Sequence, residues 1–364
     1  MMMRRWSVSA RVGPTASARS GRGRGGGQEP SMATMTDIAR EAGVSLSTVS
    51  YALSGKRPIS ASTRTRIDQA IAKLRYHPTA SARALALKRT SLLGLAVPQR
   101  PDVDDHVIME FVGSILSAAH EADYDVVLVT AEDRERALRI VEEGKVDALI
   151  VMDIVEDDER LPDLARLHSP VVLIGNPQDT NGLACVDFDF LAGAMLAVRE
   201  LHGRGASRIA MLKPPSAAAG GPVPTYARRA RLGYTMACAE LGLDSEVVEL
   251  PPDSAAVADF VRDQILSGAR FDGLFVHHEP ALAMLGRAMS QLGVACPEEV
   301  QVAAIAPADV ARNGPWEVSS VDLPIPSIGR STVAMALERL RDREVPAHTR
   351  LLSPTFVPRA TTLP

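Results

Sequence analysis

Residues 34–54 read TMTDIAREAGVSLSTVSYALS, and the front of the chain is decided there. Thr34 precedes Asp37 by three positions, the spacing of a capping box, and Ile38 and Ala42 then line one helical face. Gly43 ends that helix. Ser45 caps a second helix with Val49 and Leu53 on its inner face, and Gly55 ends it. After Pro58, Ser60 caps a third helix whose apolar positions Ile67, Ile71 and Leu74 form one stripe. Two helices around the tight turn Ala42-Gly43-Val44 make a helix-turn-helix.

The outer face of the second helix carries Leu46, Ser47, Thr48, Ser50 and Tyr51 and is almost free of acids. Hydroxyls can bond phosphates, and side chains at the N-terminal end of such a helix can reach base edges in a major groove. The other reading is a small three-helix protein-interaction module. Charge favours the first. The whole chain of 364 residues carries a net charge of −4, but residues 34–90 hold ten basic against three acidic residues. Residues 1–90 sum to +12 and residues 91–364 to −16. Such a split points to a polyanion-binding head on a different kind of body.

Residues 1–33 are rich in Arg, Gly, Ser and Ala, and are expected to be a disordered basic arm or a product of a start codon set too early, with Met32 or Met35 as alternatives. Gly21, Gly23 and Gly26 match a dinucleotide-binding spacing, but neither a strand before nor a helix after supports it. Residues 79–86, Thr-Ala-Ser-Ala-Arg-Ala-Leu-Ala, read as a helix too short to be stable alone, and Leu85 has no core to enter within it.

From Leu92 onward, apolar strand-like runs alternate with helices. The runs are Leu92–Val97, Val126–Thr130, Ala148–Met152, Val171–Gly175, Arg208–Leu212, Glu246–Leu250, Gly273–Val276 and Val302–Ala306. Nearly continuous apolar strands mean parallel sheets covered on both faces, and about ten such units exceed one ordinary open sheet, so two sheets are expected. Ligands of such folds sit at the carboxyl ends of the strands. No run approaches the ~18 consecutive apolar residues of a membrane span, and MMMRRW is not followed by a secretory apolar region. Cys185, Cys238 and Cys296 are odd in number and far apart, which suits small buried side chains in a reducing cytoplasm.

The run from Met35 through Ser50, with Arg64-Thr-Arg-Ile67 and Tyr76-His-Pro-Thr79 after it, closely resembles the DNA-binding head of the lactose-repressor (LacI/GalR) family. Pro170–Gly175, Ser207–Ala210, Gly233-Tyr234 and Pro297–Val300 are similar to that family's effector domain, so the resemblance covers roughly residues 34–360. It implies an α/β protein: a helix-turn-helix head over 34–78, a hinge helix within 79–90, and a two-lobed periplasmic-binding-protein-like domain over 91–364. Leu46, Ser47 and Tyr51 fall at base-reading positions. Thr34, Ser45, Thr48, Ser50, Ser54, Ser60, Thr63 and Tyr76 fall at phosphate-contacting or head-positioning places. Ala82 and Leu85 belong to the hinge, with Leu85 as an apolar wedge for the minor groove.

The chain departs from the family's pattern at several places. Tyr51 stands where a basic residue is common, so the two-pronged guanine contact of Arg is missing. Ala230 stands three residues before the Gly-aromatic pair, where sugar-binding members carry Arg. His278-Glu279 replace an Asn-Asp pair, and Ala306-Pro307 replace a strand-ending Asp. Asp189, Arg229, Arg231, His278 and Glu279 are therefore the candidates for lining the effector cleft. Adjacent His277 and His278 on a strand end face opposite sides and do not form a metal site together.

The resulting expectation is a transcriptional regulator of repressor type. It would bind a palindromic double-stranded DNA operator as a homodimer or tetramer and respond to a sugar or related metabolite, without cofactor, metal or membrane. The lobes are expected to hold residues 91–187 with 319–346, and 188–318 with 347–364. A solute-binding protein of similar two-lobed fold is the alternative. No serine-hydrolase, Walker or zinc-protease motif supports an enzyme.

Overall fold

The structure is a computed structural model and describes residues 33–54, 57–74, 76, 89–99, 104–131, 133–215, 223–267, 270–314 and 316–364. The arm through Met32 and the hinge positions 79–88, with Ala82 and Leu85, lie outside the described residues. The chain divides into two compact units, Met1–Thr79 and Ala80–Pro364.

The first unit holds α1 (Met35–Ala42), α2 (Leu46–Ser54) and α3 (Ala61–Leu74). Thr34 and Asp37 form the capping box in both directions: Thr34 N–H donates to Asp37 Oδ2 at 2.9 Å and Asp37 N–H to Thr34 Oγ1 at 3.4 Å. Gly43 takes φ +61°, which a side chain disfavours, and this lets Val44 N–H return to Ala39 O at 3.0 Å. Ile38, Val49 and Ile67, one from each helix, are at most 1% exposed and form the centre of the small core.

The second unit holds β1 (Leu92–Val97), α4 (Asp105–His120), β2 (Asp125–Thr130), α5 (Arg134–Glu142), β3 (Ala148–Val151), α6 (Leu161–Leu164), β4 (Val171–Ile174), β5 (Ala184–Phe188) and α7 (Phe190–Gly203). It continues with β6 (Ile209–Lys213), α8 (Thr225–Leu241), β7 (Glu246–Glu249), α9 (Ser254–Phe260), a π-helical turn (Val261–Leu266), β8 (Gly273–Val276) and α10 (Glu279–Leu292). The last elements are β9 (Gln301–Pro307), α11 (Ala308–Asn313), β10 (Ser319–Leu323), α12 (Ile325–Arg341), β11 (Thr349–Leu352) and β12 (Phe356–Val357).

Two six-stranded sheets result, in the orders β11-β5-β4-β3-β1-β2 and β12-β10-β9-β8-β6-β7. All described pairings are parallel except β12 on β10. Every residue of β3, β4, β5, β8 and β9 is buried, because helices cover both faces. The start of β1 is fixed by Asp147, whose carboxylate accepts from Thr90 N–H at 2.7 Å and Ser91 N–H at 2.9 Å. The end of the chain is fixed by Arg359, which grips Asp322 with two hydrogen bonds of 2.9 Å.

The expected lobe boundaries need correction at two places. Ser319–Leu323 pairs with β9 and so belongs to the second sheet, not to the first lobe expected for residues 319–346. Thr349–Leu352 pairs with β5 in the first sheet, not in the second lobe expected for residues 347–364. In each case an open strand edge captures the next extended segment. The return to the first lobe is made by α12, which packs on α4 and on β3, β4 and β5. The chain thus crosses after Phe188, after Leu323 and after Leu352.

Helices α7 and α8 pack so closely that a Cβ at Gly233 would lie 2.9 Å from the carbonyl carbon of Leu191. Gly233→Ala is therefore expected to destabilise the body by about 1–3 kcal/mol, the usual cost of overpacking. A urea unfolding midpoint equal to that of the parent chain would contradict this contact.

Candidate functional site

Helix α2 presents a hydroxyl-rich outer face. Ser45 Oγ accepts the Thr48 N–H at 3.2 Å and lies 2.8 Å from Ser47 Oγ and 2.7 Å from Thr48 Oγ1. Ser60 repeats the arrangement for α3, accepting the Thr63 N–H at 3.2 Å and donating to Thr63 Oγ1 at 2.8 Å. These hydroxyls sit at helix starts, where free backbone N–H groups favour anions. Leu46 is 49% exposed at the first position of α2, so half of a large apolar side chain stands in solvent beside these hydroxyls. Ser47 is exposed, and Thr48, Ser50 and Tyr51 are half-buried. Arg57 lies 5.4 Å over the Tyr51 ring and adds positive charge beside it. Thr34 is spent on its capping box, and Tyr76 is buried in the core, where it positions the helices. The side chain of Ser54 lies outside the described residues, as do Ala82 and Leu85.

The second unit holds a cleft of about 540 Å³ at the carboxyl ends of the strands of both sheets. Pro98, Met152, Ile174 and Asp187 line it from the first lobe, and Met211, His277, Ile305 and Leu323 from the second. Its wall includes an aromatic triangle: the ring centroids of Phe190, Tyr226 and His277 lie 5.7–5.8 Å apart.

Among the described residues, three buried polar atoms at this cleft have no hydrogen-bond partner: Asp187 Oδ2, Thr225 Oγ1 and His278 Nε2. Each such group costs about 1–3 kcal/mol unless water or a ligand satisfies it. Asp187 Oδ1 accepts the Phe188 N–H at 2.9 Å. Burial pushes the Asp187 carboxyl up to about 7, against the opposing charge of Arg229. Burial also pushes Glu279 up to about 7 and holds His277 and His278 down to about 4. Near neutral pH the cleft therefore presents uncharged imidazoles and carboxyls close to their titration points.

The expected lining residues divide. Arg231, His278 and Glu279 line the cleft, and Arg231 is exposed. His277 lines it too, beside His278, rather than facing away. Arg229 instead donates from Nε to the Asn176 carbonyl at 2.9 Å. Asp189 is corrected: its carboxylate accepts the Ala192 N–H at 3.0 Å as the N-cap of α7, because the chain turns into the helix there. The acid that faces the cleft is Asp187, two residues earlier. Sequence reading missed it, although an acid inside the apolar strand Ala184–Phe188 was the available signal. Thr225, Tyr226 and Phe190 carried no such signal, since they read as ordinary helix-start residues. Ala230 and Ala306 are fully buried.

Asp187 also sets a pH dependence. Its proton is held more tightly in the folded chain than by an ordinary aspartate, so its contribution to stability is present in acid and lost as pH rises from about 4 to about 7. His277 and His278 act oppositely, losing stability as pH falls from about 6.5 to about 4. Asp187→Asn is expected to gain a few kcal/mol relative to the parent chain on going from pH ~4 to pH ~8. Thermal melts whose difference between variant and parent is the same across that range would contradict the burial of this carboxyl.

Comparison with known proteins agrees with this division. Residues 34–79 match the profile of bacterial regulatory proteins of the lacI family, and residues 198–362 that of a periplasmic binding protein-like domain. The HTH-type transcriptional repressor PurR of Vibrio atlanticus (strain LGP32) is 26% identical over 344 residues, covering 91% of this chain and 98% of that protein. The HTH-type transcriptional regulator GalR of Escherichia coli (strain K12) is 28% identical over 339 residues, covering 90% and 95%. Among solved structures, the lac repressor dimer bound to operator and the anti-inducer ONPF has the same fold, with a TM-score of 0.77 at 22% identity over 92% of this chain and 100% of that one. The transcriptional regulator CelR-cellobiose complex aligns with a TM-score of 0.62, also at 22% identity, over 90% and 99%.

Proposed function

This chain belongs to the lacI family of bacterial regulatory proteins, and on that premise we propose that it is a DNA-binding transcription regulator of repressor type, governed by a small molecule in its cleft. The observation that carries the reading is the α2 face. A half-exposed Leu46 stands among Ser45, Ser47 and Thr48, with no acid in the helix. Leu46, Ser47 and Tyr51 read bases, and the hydroxyls of Ser45 and Ser60 at the helix starts, with Thr48, Ser50 and Thr63, serve phosphates. Leu85, with Ala82, supplies the hinge that opens the minor groove.

A two-fold operator needs two heads, so the working form is a dimer or a pair of dimers. Exposed Met109 and Leu116, two turns apart on α4, and Leu128 on the neighbouring β2 support association through the first lobe. Leu232 and Met236, one turn apart on α8, support it through the second. The effector is a hydroxylated small molecule of sugar-like size. It stacks on the Phe190–Tyr226–His277 triangle and hydrogen-bonds to Asp187, Thr225 and His278. Regulation then follows if the effector and operator prefer different arrangements of the lobes. The body acts as a binding domain and not as an enzyme. A solute-binding role does not account for the basic head.

Selection of binding sites from a random duplex library, using the full chain, tests this reading. A two-fold symmetric consensus is expected, with log affinity falling against log salt by about 0.9 per phosphate contact. Leu46→Ala and Tyr51→Ala should each cost on the order of 1–3 kcal/mol on that consensus and little on random duplex. Enrichment of no symmetric sequence, or equal losses on both duplexes, would contradict it. In a thermal-shift screen of neutral sugars, nucleosides and sugar phosphates, a cleft ligand raises the melting temperature of the parent chain more than that of Thr225→Val.

A further inference from the structure

Outside the cleft lining, a second polar cluster joins the two lobes. His106 and Glu110 stand one turn apart on α4 of the first lobe, so both project from one helix face. Asp309 stands on α11, which follows β9 of the second lobe. His106 Nε2 lies 2.8 Å from Asp309 Oδ2. One ligand atom from each of the three residues falls within 4.8 Å of the others. Two carboxylate oxygens, Glu110 Oε2 and Asp309 Oδ1, are shielded from solvent and have no hydrogen-bond partner among the described residues. Burial, with Asp309 beside it, pushes the Glu110 carboxyl above its ordinary range.

The His106 imidazole bonds one of the two carboxylates and so satisfies only part of this cluster. The His106–Asp309 bond leaves Glu110 facing a second carboxylate, with one oxygen of each unpaired. A cation answers both orphan acceptors at once. We propose that His106, Glu110 and Asp309 bind one divalent cation of the zinc type, tying the two lobes together beside the effector cleft. One imidazole nitrogen with two carboxylate oxygens supplies three protein ligands and leaves a fourth position to water. The imidazole favours a borderline transition metal over magnesium or calcium, whose preferred ligands are all oxygen. The same helix lines the cleft with Val107, Ile108 and Phe111, so a cation held here fixes one wall of it. The cation would act as a clasp between lobes and has no part in chemistry.

The test is a calorimetric titration of Zn²⁺, with Co²⁺ followed by visible absorption, into tag-free full chain previously stripped with a chelator. One equivalent per chain is expected, with Mg²⁺ unable to displace it. His106→Ala and Asp309→Asn should each weaken binding by at least about tenfold, the loss seen even for groups that only orient a ligand. His106 and Asp309 are partly exposed, so both variants are expected to fold, which circular dichroism checks. His120→Ala, an exposed histidine at the far end of the same helix, should bind as the parent does. Zn²⁺ should raise the melting temperature of the parent chain and leave that of His106→Ala unchanged. Absence of stoichiometric binding, binding that survives both substitutions, or displacement by Mg²⁺ overturns the proposal.

Discussion

The first turn of helix α8 docks on the opposite lobe, and the shape of the effector cleft depends on that contact. Thr225 N–H donates to the Ile154 carbonyl at 2.8 Å, and Pro224 bridges Val155. Arg229 reaches the Asn176 carbonyl at 2.9 Å, and Arg228 lies 3.4 Å from Glu156. Three chain crossings alone would leave two sheets free to open and close. These bonds choose one arrangement, but they are few, and the Arg228 pair is largely exposed on one side and worth little. Gly175 sits under the same turn. A Cβ there would meet Ile154 at 2.7 Å, and the residue takes φ +143°, so only glycine allows this approach. A body built this way is closed by weak, exchangeable contacts, which is what a ligand-responsive domain requires.

The polar atoms left unpaired in the cleft belong to the same logic. A packing solution chosen for stability alone would pair or remove Asp187, Thr225 and His278, as it pairs the buried Ser319 with Thr362 at 2.8 Å. Their retention in the cleft wall marks a site whose partner comes from outside. The head follows the parallel argument on its surface. Its core is small and conventional, whereas its exposed face keeps Leu46 half in solvent beside a row of hydroxyls.

Much of this was legible in the sequence, for reasons that differ by element. Strands such as Val171–Ile174 and Gly273–Val276 are buried on both faces and so read as unbroken apolar runs. The caps at Thr34, Ser45 and Ser60 are local chemistry and need no tertiary context. The lobe boundaries failed where hydrogen bonding, not hydrophobicity, assigns the strand. Ser319 and Ser320 are fully buried yet read as polar, since their partners Thr361, Thr362 and Arg359 lie some forty residues away. Thr349–Leu352 is an edge strand with three exposed residues and carries no apolar signature. Asp187 and Asp189 are indistinguishable as letters. One ends a strand in a cavity and the other starts a helix, and only the backbone turn between them separates a ligand-facing acid from a cap.

The proposed regulation requires the cleft and the DNA-binding head to be energetically linked within one chain. Operator affinity by fluorescence anisotropy, at fixed salt, with the cleft empty and then saturated by a ligand whose binding depends on Thr225, reads that linkage. A change of at least about fivefold is expected, with the operator changing the ligand's affinity by the same factor. Operator affinity that is identical with the cleft empty and filled would contradict it.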